Sequence, residues 1–305
     1  MPRSASVCAF AKVNLSLEVL NRRPDGFHNL RTVFQTISLH DTIDIEVHEA
    51  DRPRVELISD VEIPGENLIV RAALALLEVT GAVAEVRFRL QKRIPMGGGL
   101  GGGSTDAAAV LLALPALLER TVDSGALVEL GSGLGSDVPF FLMGGTAAGL
   151  NRGTELYPLP DGAGDGRFGV LLTPPIHVST PEAYRLLGRT AEVPAQASGF
   201  SAGERLAMAV AFGADWSSAC VNDFEAAVFG QHPELAELRA RLEDLGASPA
   251  RMSGSGAALF GVFDNEAGRI RALTALEGVT PAHSFEFVSR SAYRDVWREC
   301  LRLEP

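Results

Sequence analysis

Six of the seven residues from Gly97 to Gly103, in the run PMGGGLGGGST, are glycine. Without Cβ atoms, such a backbone can adopt left-handed conformations and turn successive amides into one concavity. Its flanks narrow the choice. Before it, Val86, Phe88 and Leu90 alternate with Glu85, Arg87, Arg89 and Gln91, the period of a strand. After it, Ser104-Thr105-Asp106 leads into AAAVLLAL, a helix with a cap signal at its start. Flexible linkers are rarely framed this way. A glycine loop ahead of a helix N-terminus favours an anion, and a nucleotide phosphate chain fits best.

Two familiar nucleotide loops fit poorly. A Walker A loop needs Lys before its Ser/Thr, where this chain has Gly103. Gly97-x-Gly99-x-x-Gly102 meets the dinucleotide pattern, and Glu119 follows Gly99 by 20 residues. So dense a tract meets almost any glycine pattern by chance, and no second apolar strand precedes Glu119, where a ribose-binding acid would sit.

The chain has 305 residues, 46% of them hydrophobic, enough for two compact domains with ample core. Its formal net charge of −11 argues against a broad nucleic-acid or anionic-membrane footprint but leaves room for a local anion site. Cys8, Cys220 and Cys300 lie far apart with no metal-ligand spacing, which predicts reduced thiols and a cytoplasmic protein. Neither a signal peptide nor an apolar run of about 18 residues is evident.

Val7 to Val19 alternate as a strand with one buried face, leaving Lys12, Asn14, Ser16 and Glu18 on the other. Asn67 precedes a helical run that Gly81 stops, and PLPDGAGDGR after Tyr157 reads as a surface turn or domain junction. Beyond it we expect strand FGVLLT, helices near Pro181–Leu187 and Ala202–Phe212, and a helix through Leu235, Leu238 and Leu242. Strand AALFGVF, a helix after Asp264-Asn265 and strand HSFEFVSR follow. This is an α/β (α+β) pattern, helices on one face of a sheet.

Read together, AKVNLSL, PMGGGLGGGST, LGSDVPFF and RMSGSGAALF closely resemble the signatures of the GHMP kinase superfamily. RPDGFHNLRTVFQ and ENLIVRAA narrow the resemblance to members that phosphorylate a small alcohol carrying a cytidine diphosphate. The resemblance implies a two-domain GHMP kinase fold, with a ribosomal S5-like N-terminal domain and a ferredoxin-like C-terminal one. The expected division is 1–157, with the ATP loop, and 158–305.

Roles follow from the same resemblance. Lys12 and Asp137 become the catalytic pair, with Asp137 the general base. Its bland alternative is the N-cap of a helix at Val138. ATP is expected against Asn67, Lys92, Met96, Gly97, Gly98, Gly99, Leu100, Gly101, Gly102, Gly103, Ser104 and Thr105, while Asn67 could serve only as a helix cap and Lys92 only as a solvated strand charge. Mg²⁺ is expected with the nucleotide, Ser104 being the hydroxyl nearest it. Asn14, Phe27, His28, Thr180 and Tyr184 are expected at the acceptor, with Phe27, His28 and Tyr184 sandwiching the base. The family usually carries Asn at Asp106, whose role stays open, and the stretch from Leu118 to Gly135 looks short beside the family's usual helix.

The rivals are another GHMP kinase, of mevalonate or homoserine type, and a catalytically silent nucleotide-binding regulator. The aromatic residues speak against the first, whose acceptors have no base to stack, and retention of Lys12 with Asp137 against the second. Oligomeric state is not legible.

Overall fold

The structure is a computed structural model that describes residues 3–160, 167–189, 202–212 and 216–301. Its N-terminal part is a sheet built on a long antiparallel pair, β1 (Arg3–Arg22) and β2 (His28–Glu49). One half of β2 pairs with β4 (Ala84–Gln91), which lies parallel to β3 (Arg54–Ser59). The other half pairs with β5 (Thr146–Asn151), followed by β6 (Glu155–Pro158). Helix α1 (Leu68–Thr80) connects β3 to β4, capped by Asn67 and stopped by Gly81 at φ +61°. Helices α2 (Gly102–Leu117), α3 (Ser124–Leu134) and α4 (Val138–Phe141) follow the glycine loop. Their apolar faces bury Ile69, Leu76, Val110, Leu114 and Phe140 against Val7, Ile45 and Val86.

The second part holds β7 (Phe168–Leu172), β8 (Ala250–Met252), β9 (Leu259–Phe263) and β10 (Ala282–Glu286). They form an antiparallel sheet in the order β10-β7-β9-β8. Counted within this part, that is 4-1-3-2, the ferredoxin-like arrangement expected. Helices α5 (Thr180–Leu187), α6 (Ala202–Phe212), α7 (Phe224–Gln231), α8 (Pro233–Asp244) and α9 (Glu266–Leu276) accompany it. Part of the turn read at Pro158–Arg167 lies outside the described residues.

The structure corrects three expectations. The polar face of β1 is not solvated: Lys12, Asn14 and Ser16 are buried, with the glycine loop and the Phe34 ring against Lys12 and Thr32 against Asn14, while the second part packs on the apolar residues Ala11, Val13, Leu15 and Leu17. Leu17 there donates its amide to Val221 O at 2.8 Å, and Asp223 donates to Leu17 O at 2.9 Å. Helix α2 begins at Gly102, before Ser104-Thr105-Asp106, and its N-cap Gly101 supplies no side-chain acceptor. A further helix, α10 (Arg290–Leu301), leaves the second sheet and packs on the first core through Tyr293 and Trp297. Among the described residues no helix is long and apolar enough to cross a membrane.

Candidate active site

Gly97, Gly99 and Gly101 all lie at φ +74°, in the left-handed region that favours glycine. Two of them make room for the protein itself. A Cβ on Gly99 would stand 2.3 Å from Ser253 O, and one on Gly101 2.6 Å from the Phe141 ring. Ser253 Oγ donates to Gly99 O at 3.0 Å, and Lys12 N donates to Leu100 O at 3.1 Å. The loop is therefore pinned between β1 and the SGSG turn, Ser253–Gly256. Asn222, which sequence reasoning missed, shapes that turn by donating to Met252 O and Gly254 O at 2.7 and 2.8 Å. At Gly103, by contrast, a Cβ would meet only Leu68 Cδ1 at 3.6 Å.

With no side-chain cap, the first amides of α2 remain available to an anion. They border a cavity of about 340 Å³ whose lining includes Asn67, Lys92, Met96 and Ser104. Asn67 does cap α1, accepting from Ile69 N at 2.8 Å, and lines the cavity as well. Lys92 is no solvated strand charge. Its Nζ is buried and donates to Asp41 Oδ2 at 2.5 Å and Asp106 Oδ2 at 2.7 Å. Burial pulls Lys92 down, but the charges of Asp106 and Asp41 outweigh it and leave its pKa raised. Asp106 is pushed up to about 7, first by burial and further by Asp41, with Lys92 opposing. Its Oδ1 is buried without a partner. Among the described residues no group of three His, Cys, Asp or Glu could cage a metal. This donor set fits an ion whose shell is mostly phosphate and water.

Beside the loop, Lys12 Nζ donates to Asn14 Oδ1 at 2.6 Å and lies 3.5 Å from Asp137 Oδ2. Asn14 Nδ2 donates to Thr32 Oγ1, and Thr32 to Ser16 O, so the pair of β1 side chains is held in a buried relay. Desolvation lowers the Lys12 pKa, and the charge and hydrogen bond of Asp137 oppose it. Asp137 occupies the N-cap position of α4 but makes no capping bond, which leaves its carboxylate facing Lys12.

Asp137 also lines a second cavity, of about 740 Å³, together with Phe27, His28, Thr180 and Tyr184. Four of the five predicted acceptor residues thus line one cavity, Asn14 lying instead against Lys12 and Thr32, but the rings do not form a three-ring sandwich. His28 and Tyr184 stack on each other, centroids 4.7 Å apart and 17° between planes. Such spacing leaves no room for a base between them. Phe27, half exposed, lies instead under the Arg152 guanidinium at 3.7 Å. His28 Nε2 is buried without a partner. Thr180 Oγ1 is 3.0 Å from Ser255 Oγ, tying α5 to the SGSG turn. Burial, then the Asp137 charge, raises the Tyr184 phenol to about 12, so it remains a hydrogen-bond donor. Arg22, Arg152, Arg185 and Arg189 add positive charge to the cavity in a chain of net charge −11. Sequence reasoning missed all four; Arg152 sits in the tight turn between β5 and β6, where only the fold aims it inward.

Comparison with known proteins gives the family and the fold. The chain matches the GHMP kinases N terminal domain over residues 67–145 and the GHMP kinases C terminal domain over 208–279. It is 47% identical over 305 residues to 4-diphosphocytidyl-2-C-methyl-D-erythritol kinase of Solibacter usitatus, covering 98% of this chain and 93% of that protein. It is 39% identical over 264 residues to the same-named kinase of Pelotomaculum thermopropionicum, covering 83% and 87%. A crystal structure of 4-(cytidine 5'-diphospho)-2C-methyl-D-erythritol kinase superposes with a TM-score of 0.76 at 38% identity, covering 92% of this chain and 98% of that one. A two-domain α/β chain with this loop, this Lys12–Asp137 pair and these relatives belongs to the 4-diphosphocytidyl-2-C-methyl-D-erythritol kinase family of the GHMP kinases.

Proposed function

We propose that this protein phosphorylates the 2-hydroxyl of 4-diphosphocytidyl-2-C-methyl-D-erythritol with ATP, in the cytoplasm, as a step of the non-mevalonate isoprenoid pathway. The observation that carries the reading is the Lys12–Asp137 contact of 3.5 Å, which sets a buried ammonium beside the glycine loop against a carboxylate that lines the acceptor cavity. Lys12 touches both sides: its Cγ is 3.3 Å from where a Cβ on Gly101 would stand, and its Nζ faces Asp137.

Phosphoryl transfer asks the protein mainly for positioning and charge neutralisation. The loop amides and the α2 N-terminus take the phosphates of ATP. Asn67, Lys92 and Met96 border its adenosine end. The acceptor hydroxyl, set between Asp137 and the γ-phosphorus, forms the new P–O bond as the bond to the β,γ-bridging oxygen breaks. Asp137 takes the hydroxyl proton, and the Lys12 ammonium stabilises charge on the moving phosphoryl group. Ser104 Oγ is the protein hydroxyl that would help hold a magnesium ion, which when bound would neutralise phosphate charge. At the acceptor end, the unpaired His28 Nε2 serves a base edge, the Tyr184 and Phe27 rings serve its faces, and the arginines serve the diphosphate. His28 and Tyr184 must part, or present their outer faces, to admit the base.

The test is ADP release with Mg-ATP and 4-diphosphocytidyl-2-C-methyl-D-erythritol, against mevalonate and homoserine, with Asp137→Ala beside the parent. Turnover with the cytidylyl acceptor alone is expected, reduced by about 10²–10⁴ in the variant. Turnover with another acceptor would move the reading to another GHMP kinase, and ATP binding without turnover to a silent regulator.

A further inference from the structure

Asp41 is wholly buried on β2, one residue before the pairing with β4 begins at Thr42. Both of its oxygens are engaged. Oδ1 accepts the backbone N–H groups of Arg93 and Ile94 at 2.5 and 2.8 Å, and Oδ2 accepts Lys92 Nζ at 2.5 Å. The Lys92 amide goes to Asp60 Oδ1 at 2.8 Å. Three consecutive amides, the last before Pro95 and the glycine loop, are thus anchored by carboxylates. Lys92 Nζ in turn stands 3.0 Å from where a Cβ on Gly102 would be, under the first residue of α2.

We infer that Asp41 is a positioning residue for the nucleotide: it sets the turn that launches the glycine loop and aims the Lys92 ammonium at the floor of the phosphate cradle. The inference rests on the reading of that cavity as the ATP site. It makes a prediction that charge alone would not. With both carboxylates ionised, Asp41, Lys92 and Asp106 together carry one surplus negative charge where a polyanion is to bind. By simple repulsion, neutralising either carboxylate should help ATP. The contacts separate the two. Asp106 reaches Lys92 through Oδ2 and lies beside the Asp41 carboxyl, with no backbone amide among its side-chain partners. Asp41 holds both Lys92 and the backbone. Removing the same charge from the same cluster should therefore move ATP affinity in opposite directions.

The experiment compares Asp41→Asn with Asp106→Asn in the full chain, by steady-state kinetics and by equilibrium titration with the fluorescent analogue mant-ATP. Asp41→Asn is expected to raise the ATP KM and the mant-ATP Kd about tenfold, the scale of a charged hydrogen bond, with kcat and acceptor KM within about twofold. Asp106→Asn is expected to leave both ATP values unchanged or lower them. An Asp41→Asn variant that binds ATP as well as the parent, or that loses acceptor and ATP affinity alike, overturns the assignment. Should Asp41→Asn fail to fold, Asp106→Asn still decides: a tenfold rise in ATP KM there would mean Lys92 is held from α2 rather than by Asp41. If the parent protein binds no mant-ATP, the nucleotide reading itself fails; if it binds and Asp41→Asn does not differ, only the role of Asp41 fails.

Discussion

Two alanine substitutions in one loop, at Gly99 and Gly103, should have opposite physical consequences. At Gly99 the backbone is at φ +74°, where a residue with a Cβ costs about 1–2 kcal/mol. The new methyl would also stand 2.3 Å from Ser253 O, a backbone atom tied to Gly99 by the Ser253 Oγ hydrogen bond, so it cannot swing aside as a side chain would. Overpacking of this kind costs about 1–3 kcal/mol, so Gly99→Ala should lose roughly 2–5 kcal/mol in all. At roughly 2–4 °C per kcal/mol for a chain of this size class, the melting temperature should fall by roughly 4–20 °C. Gly103 lies in the first turn of α2, with open space beyond Leu68 Cδ1 at 3.6 Å. Gly103→Ala should therefore melt no lower than the parent, and gain up to about 1 kcal/mol from helix propensity. Its methyl would nonetheless fill the side from which a phosphate approaches the backbone, so ATP binding should weaken at least about tenfold. Thermal melts and mant-ATP titrations of both variants decide the matter. Undiminished binding by Gly103→Ala would refute the open side of the helix start as the phosphate seat, and an unchanged melt for Gly99→Ala would refute the pinning of the loop by the SGSG turn.

Further outcomes follow from the acceptor cavity and the buried cluster. Arg152→Ala removes the guanidinium over Phe27 and should raise the acceptor KM about tenfold with the ATP KM unmoved, and steady-state kinetics in each substrate would expose an equal effect on both. Asp106 titrates near 3.8 when unfolded and near 7 when folded, so between those values the folded protein keeps a proton that the unfolded chain has lost. Stability contributed by this group should fall as pH rises from about 4 to about 7 and then level off. In melts from pH 5 to 8, Asp106→Asn should lose that slope and be the more stable protein, relative to the parent, at the alkaline end. Parallel slopes would count against a buried, proton-holding Asp106.

Much of the site was legible because its signals are local. The glycine tract framed by strand and helix, the polar residues of β1 and the segment around Asp137 each carry their meaning within about ten residues. What escaped depends on residues the fold brings together. The sequence left Lys92 open between the nucleotide and a solvated strand charge, because its partners, Asp41 and Asp106, are 51 and 14 residues away. Alternation placed Lys12, Asn14 and Ser16 on one face of β1 but could not say what would cover it. The cap signal at Ser104-Thr105-Asp106 was misleading: Gly101 can start the helix earlier in the left-handed region, leaving those side chains inside the first turn. Helix α10 was missed although Tyr293, Val296, Trp297, Cys300 and Leu301 recur at helical spacing; what that stripe packs on, the first core, lies more than 140 residues earlier in the chain. The ring positions of His28 and Tyr184 depend on how α5 meets the β1–β2 turn, which no motif encodes.

That late helix also bears on how the protein comes into being. Tyr293 Oη donates to Phe141 O at 2.5 Å across 152 residues, and Trp297 sits in the same core. During synthesis, the strand bearing Lys12 and the short helix after Asp137 emerge from the ribosome long before the residues that seal them. The N-terminal half must wait with apolar surface uncovered while the second sheet is made, a period in which a chaperone has something to hold. Catalytic competence should appear only after α10 has emerged, whatever the order in which the two sheets form.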